Sequence, residues 1–171
     1  VLVLIGAANA MAQVQVNAGV LSASNNAQLG DTTANSALLI TSGAAFYANG
    51  SFASPRAINS TSNLSGTIDV AAGQTFTSTG AISLGTGLFT KAGPGTMVAL
   101  GTNTQTTLAI SGGGTFASYV AQPFAAAATI TLNGGALRLM ANLGAQQTNV
   151  QATTLTMNGA GAVQVEDSPF T

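Results

Sequence analysis

The sequence contains no cysteine, no histidine and no tryptophan, and only 4% of its residues are charged. Without cysteine, the chain can form neither disulfides nor thiolate metal sites. Without histidine, it lacks the commonest general base and the commonest metal ligand. Ordinary soluble domains carry about 25% charged residues, so the surface of this chain must consist largely of neutral side chains.

The few charges also exclude a class of partner. Three basic and four acidic residues give a net charge of −1. Nucleic-acid binding depends on clustered basic residues that neutralise phosphates, and no such cluster exists here. No apolar run reaches the length of about 18 residues that a membrane-spanning helix needs. Because a neutral surface repels its own copies weakly, self-association is an expected property.

The N-terminal stretch VLVLIGAANAMAQ has two interpretations. It has the apolar run and the small-residue Ala-Met-Ala site of a signal peptide, but no charged residues precede the run. Shifted by 95 positions, residues 1–21 also align with residues 96–116, and this repeat is the favoured interpretation. Since the chain starts without methionine, we expect it to be a segment of a longer polypeptide.

Internal repetition is the strongest signal in the sequence. One phrase recurs, in which two apolar residues separated by a spacer precede a small-residue step with glycine and a further apolar residue. It reads VQVNAGVL at 14–21, LITSGAAF at 39–46, IDVAAGQTF at 68–76, LAISGGGTF at 108–116, ITLNGGALRL at 130–139 and LTMNGAGAVQV at 155–165. Its predicted coil-turn glycines are Gly19, Gly43, Gly73, Gly114, Gly135 and Gly161.

Within each phrase, apolar and polar residues alternate with the period of a half-buried strand. Ile130 and Leu132, for example, alternate with Thr131 and Asn133. Most phrases follow one another at intervals that suit the coil of a solenoid better than the strands of a sandwich. The sequence therefore predicts an all-β fold, a single parallel β-solenoid segment over residues 1–171 with about six or seven coils.

The stretch LFTKAGPGTMVAL at 88–100 holds the only lysine, Lys91, beside a glycine-rich turn. A phosphate cradle there would need several converging N–H groups, but Pro94 removes one donor and strand-like sequence follows. We therefore predict a type II turn with Pro94 second and Gly95 third. The predicted structural-turn residues are Lys91, Gly93, Pro94 and Gly95. The apolar residues expected to fill the core beside this turn are Leu88, Met97 and Leu100.

These phrases resemble a known repeat. The stretch GLFTKAGPGTMVAL at 87–100, followed by LAISGGGTF at 108–116 and preceded by GTIDVAAGQTF at 66–76, is similar to the passenger-associated transport repeat of bacterial autotransporters. Repeat-like copies would then lie at 1–21 and 66–116. The resemblance implies a right-handed parallel β-helix, secreted to a bacterial surface or beyond it, in which the repeats serve as scaffold.

The charged residues offer little chemistry. A polysaccharide-active β-helix would need acids gathered in one groove, and Asp31, Asp69, Glu166 and Asp167 do not cluster in that way in the sequence. We expect no catalytic residue, cofactor site or metal site. The two arginines, Arg56 and Arg138, are expected to be solvated.

The expected function is that of a non-enzymatic stalk or scaffold in a secreted or cell-surface bacterial protein of autotransporter-passenger or adhesin type. An alternative is a self-assembling subunit of an extracellular fibre, and a remote alternative is a polysaccharide-active enzyme. The expected partners are neighbouring coils of the same chain, other copies of it, and a host or surface receptor bound through other regions. Nucleic acid and small-molecule substrates are not expected.

Overall fold

The computed structural model describes residues 1–3, 13–30, 37–59, 65–120, 124, 128–141 and 152–167. The fold is all-β, with parallel strands stacked as a β-solenoid of about six turns. The predicted fold class is therefore confirmed. Asp31, one of the four acidic residues, lies outside the described residues.

The described elements are 18 short strands and one 3₁₀ turn, Asn26–Leu29. The strands are β1 Leu2–Val3, β2 Val14–Val16, β3 Gly19–Ala23, β4 Ala37–Ile40, β5 Ala44–Ala48, β6 Phe52–Ser54, β7 Ala57–Asn59, β8 Gly66–Val70, β9 Thr75–Ser78, β10 Ile82–Ser83, β11 Leu88–Ala92, β12 Thr96–Ala99, β13 Thr107–Ser111, β14 Thr115–Ser118, β15 Ala128–Asn133, β16 Ala136–Ala141, β17 Ala152–Asn158 and β18 Ala162–Asp167.

The strands form three parallel sheets that run along the solenoid. Sheet A has the order β1-β3-β5-β8-β11-β13-β15-β17, sheet B β10-β7-β4-β2, and sheet C β18-β16-β14-β12-β9-β6. A full turn passes from sheet B through sheet A to sheet C, as β7, β8 and β9 do in succession. Residues paired in successive turns lie from 19 positions apart (Thr96 and Thr115) to 26 positions apart (Ala136 and Ala162).

The core is a set of inward-facing rows, because side chains alternate between the two faces of each strand. The central row of sheet A joins register partners down the solenoid, namely Leu21, Phe46, Ile68, Lys91, Ile110 and Leu132. The matching row of sheet C is Phe52, Phe76, Met97, Phe116 and Leu137. Phe46 and Phe76 meet edge to face, with ring centroids 5.6 Å apart. Full burial of such a side chain contributes about 2 kcal/mol.

The strand β11 has the opposite phase to the one predicted. Met97 is buried as expected, but Leu88 and Leu100 are 38% and 45% exposed. Phe89 and Lys91 take the inward positions instead. Because side chains alternate between the two faces of a strand, only every second residue of β11 can face the core. The large ring of Phe89 fills the core where Leu88 cannot.

Replacing Leu88 with threonine should therefore change the free energy of unfolding by no more than about 0.5 kcal/mol, since exposed positions tolerate polar side chains. Its register partner in the next turn, Thr107, already is a threonine. Urea denaturation followed by circular dichroism measures the effect. A loss of 2 kcal/mol or more would show that Leu88 contributes to the core after all.

The recurring phrase marks two different corners of the solenoid. In the first two phrases, at 14–21 and 39–46, the glycine lies between sheets B and A. In the later four it lies between sheets A and C. The segment Gly19–Ala23 accordingly lies in sheet A, whereas its aligned counterpart Thr115–Ser118 lies in sheet C. Both corners need a small residue between two inward-facing side chains, which is why the sequences look alike.

Candidate functional site

The most distinctive site is the corner where β11 of sheet A turns into β12 of sheet C. We name it the lysine corner and define it as residues 91–95 together with Gly114, which stacks on it from the next turn. Gly93 has a φ of 73°, while Gly95 is not in the left-handed region. The predicted type II turn, with Gly95 as its left-handed residue, is therefore wrong. The Gly95 N–H instead donates to the Val70 carbonyl of the preceding turn at 3.0 Å.

Lys91 points into the solenoid and is fully buried. Its Nζ donates to the Ala92 carbonyl at 2.7 Å and to the Gly93 carbonyl at 2.8 Å. A buried ammonium needs such partners, because leaving one without hydrogen bonds costs several kcal/mol. Burial lowers the pKa of Lys91 to about 8, and attraction to the Asp69 carboxylate opposes part of that shift. The lysine thus closes its own turn from inside and offers no cation at the surface.

Glycine at position 114 is required by lack of space. A Cβ there would lie 2.1 Å from the Gly93 carbonyl oxygen and 2.4 Å from Lys91 Nζ. The next glycines of the same column are also tight, because a Cβ on Gly135 would lie 2.5 Å from Ile110 Cγ2 and a Cβ on Gly161 would lie 2.9 Å from Leu132 Cβ. In this column the missing side chain allows one turn to lie directly on another.

The other predicted turn glycines meet a different need. Gly19, Gly43 and Gly73 all have positive φ, and a Cβ on any of them would meet nothing within 4 Å. In the later phrases, the glycine with positive φ lies one or two positions N-terminal to the predicted coil-turn glycine, as Gly113 precedes Gly114 and Gly134 precedes Gly135. The six glycines therefore divide into conformational positions and close-contact positions.

Backbone hydrogen bonds continue around the corner between sheets A and C. The Thr115 N–H donates to the Gly95 carbonyl at 3.2 Å, and the Ala136 N–H donates to the Gly114 carbonyl at 2.9 Å. The Ala162 N–H repeats the pattern on the Gly135 carbonyl at 3.1 Å. Each turn is thus bonded to the next through the corner as well as through the strands. Such an arrangement resists bending and sliding of the turns.

The acids that the structure describes are not gathered into one groove. Asp69 lies on β8 in sheet A, and Glu166 lies on β18 in sheet C. Glu166 accepts a hydrogen bond from Arg138 and forms an ion pair with it, and this bond raises the pKa of the guanidinium. Asp167 closes β18. Among the described residues, no three metal-binding side chains lie close enough to hold an ion.

The arginines differ from each other. Arg138 is partly exposed and bridges two turns through Glu166. Arg56 is 2% exposed, so its predicted solvation is wrong. It sits at the corner between sheets C and B, where Gly80 of the next turn packs on its backbone, and a Cβ on Gly80 would lie 2.4 Å from the Arg56 carbonyl oxygen.

Searches against family models, curated proteins and solved structures find no match to this chain. Within the described part of the chain, no helix is both long and apolar enough to cross a membrane. The lysine corner, the glycine column and the bonded turns are the distinctive features of the part of the chain that the structure describes.

Proposed function

We propose that this chain is a structural segment, a stiff stalk or scaffold, of a secreted bacterial surface protein of autotransporter-passenger or adhesin type. The observation that carries the proposal is the unbroken parallel pairing of sheet A from β1 to β17, with bonded corners between successive turns. About six turns at roughly 4.8 Å each give a rod on the order of 30 Å long. The motif at 87–100, which resembles the passenger-associated repeat, supplies the cellular setting.

The use of the charged groups supports a mechanical role. Lys91 satisfies its own turn, and Glu166 is engaged by Arg138. Lys91 thus stabilises its own turn, and the Arg138–Glu166 pair links two turns. A stalk needs stiffness and a surface that attracts few charged partners, and the low charge of the chain fits that need.

The test is replacement of this segment, within the full-length protein on its producing bacterium, by an unrelated solenoid with the same number of turns. If the segment is a stalk, surface exposure and adhesion of the cells should be retained. Deleting the segment without replacement should reduce adhesion. Loss of adhesion despite a rod of equal length, or detection of the native protein inside the cell only, would contradict the proposal.

A second candidate is a self-assembling subunit of an extracellular fibre, and one observation favours it. Only 4% of the residues are charged, and the net charge is −1. A surface with so little charge repels other copies of the chain weakly, which allows them to associate.

Electron microscopy and sedimentation separate the two candidates. A fibre subunit should form regular filaments whose length increases with protein concentration. Single rods at every concentration would exclude the fibre and leave the stalk.

A further inference from the structure

A depression lies on the outer face of sheet A, beside the lysine corner. Its volume is about 550 Å³, and it is open to the solvent. It is lined by Val20, Tyr47, Asp69, residues 71–72 and residues 93–94. We propose that this depression binds a neutral, hydroxyl-rich ligand, namely a short stretch of a neutral oligosaccharide. The proposal goes beyond the stalk function and does not depend on it.

The two side chains with recognition chemistry are neighbours by register. Tyr47 on β5 pairs with Asp69 on β8, so their Cα atoms lie about 5 Å apart. Both are partly exposed on the outer face. Since the depression extends from β3 to the turn after β11, it spans about 14 Å along the solenoid. That length accommodates a short row of sugar rings.

Gly93 leaves room for the Asp69 carboxylate. A Cβ on Gly93 would lie 2.1 Å from Asp69 Oδ1, so the carboxylate rests against the bare Cα of this glycine. In the described part of the chain, no donor forms a hydrogen bond to this carboxylate. An ionised carboxylate is an acceptor with about four lone-pair positions. Ligand hydroxyl groups can therefore donate to it directly.

The local charge favours a neutral ligand. The ammonium of Lys91, buried under the same corner, is attracted to the Asp69 carboxylate, so the two charges offset each other near neutral pH. The lysine is buried and cannot contact the ligand. The depression thus offers acceptor oxygens and an aromatic ring without a net charge. Tyr47 supplies an amphipathic surface on which the apolar face of a sugar ring can stack.

The chain allows a direct optical test. It has no tryptophan and two tyrosines, so a Tyr119→Phe variant reports on Tyr47 alone. We expect its fluorescence to change saturably with cellotriose at pH 7, with half-saturation in the millimolar range. Asp69→Asn in this background should weaken binding about tenfold. The matched control Thr131→Ser, which lies on the outer face of the same sheet several turns away, should leave binding unchanged.

Two further measurements distinguish a loss of binding from misfolding of a variant. Circular dichroism must show an intact solenoid in every variant. Tyr47→Phe keeps the ring and should retain binding within about threefold, whereas Tyr47→Ala should abolish the saturation-transfer NMR signal of cellotriose. Absence of saturable binding in the parent protein would overturn the proposal. Tighter binding of trilysine than of cellotriose would overturn it as well, since the site would then select a cation.

Discussion

Replacing Gly114 with alanine should lower the free energy of unfolding by about 3 kcal/mol. The added Cβ would lie 2.1 Å from the Gly93 carbonyl oxygen and 2.4 Å from Lys91 Nζ. The Gly93 carbonyl is backbone and accepts a hydrogen bond from Lys91 Nζ, so it cannot move away without disturbing that bond. Urea denaturation followed by far-UV circular dichroism gives the free energy by linear extrapolation.

The neighbouring Gly113→Ala variant is the matched control. Gly113 has a φ of 74°, and a Cβ there would meet nothing within 4 Å. Its replacement should lower the free energy of unfolding by only about 1 kcal/mol, the cost of holding an alanine in the left-handed backbone conformation. If both variants lost the same stability, backbone conformation and not the close approach of two turns would explain the glycines at this corner.

The stability of the protein should rise between pH 8 and pH 10.5, by about 3 kcal/mol in total. The pKa of Lys91 is about 8 in the folded chain and 10.5 in the unfolded one. Between these values the unfolded chain binds a proton that the folded chain has released, so raising the pH favours folding. Below pH 8 both states carry the proton, and the contribution of this group is constant.

Because Lys91 is the only lysine in the sequence, no other lysine titrates in this pH range. Urea midpoints measured at half-unit steps of pH should rise through this window in the parent protein. They should show no such rise in a Lys91→Met variant, which keeps the length of the side chain but cannot be protonated. A parent protein whose stability falls from pH 8 to pH 10 would contradict the assigned burial of the ammonium.

The fold could be predicted because its signals are local. Alternation in stretches such as Ile130 to Asn133 fixes strand and buried face together, and glycine-containing steps mark the corners. Which residues of β11 face the core was harder to predict, because Leu88 and Phe89 are both apolar. A lysine at position 91 also argues against an inward orientation of residues 89 and 91. The inward orientation of Lys91 is tolerated only because its ammonium donates hydrogen bonds to the Ala92 and Gly93 carbonyls.

Features that depend on contacts between turns could not be predicted from the sequence. Arg56 is buried at a corner where Gly80 of the next turn packs on its backbone, and nothing near Arg56 in the sequence indicates its burial. The pairing of Tyr47 with Asp69 likewise joins residues 22 positions apart. The interval between turns varies, so the register has to be known before such neighbours can be identified.

The row that runs through Leu21, Phe46, Ile68, Lys91, Ile110 and Leu132 contains one charged member. Turns of such similar sequence risk mispairing, in which one turn docks on the wrong neighbour during folding. An apolar side chain of this row would accept many neighbours, but Lys91 requires a glycine above it in the next turn, because a Cβ at the position of Gly114 would lie 2.4 Å from its Nζ. We expect Lys91 to penalise out-of-order stacking, so that a single residue helps to specify the sequence in which the turns assemble.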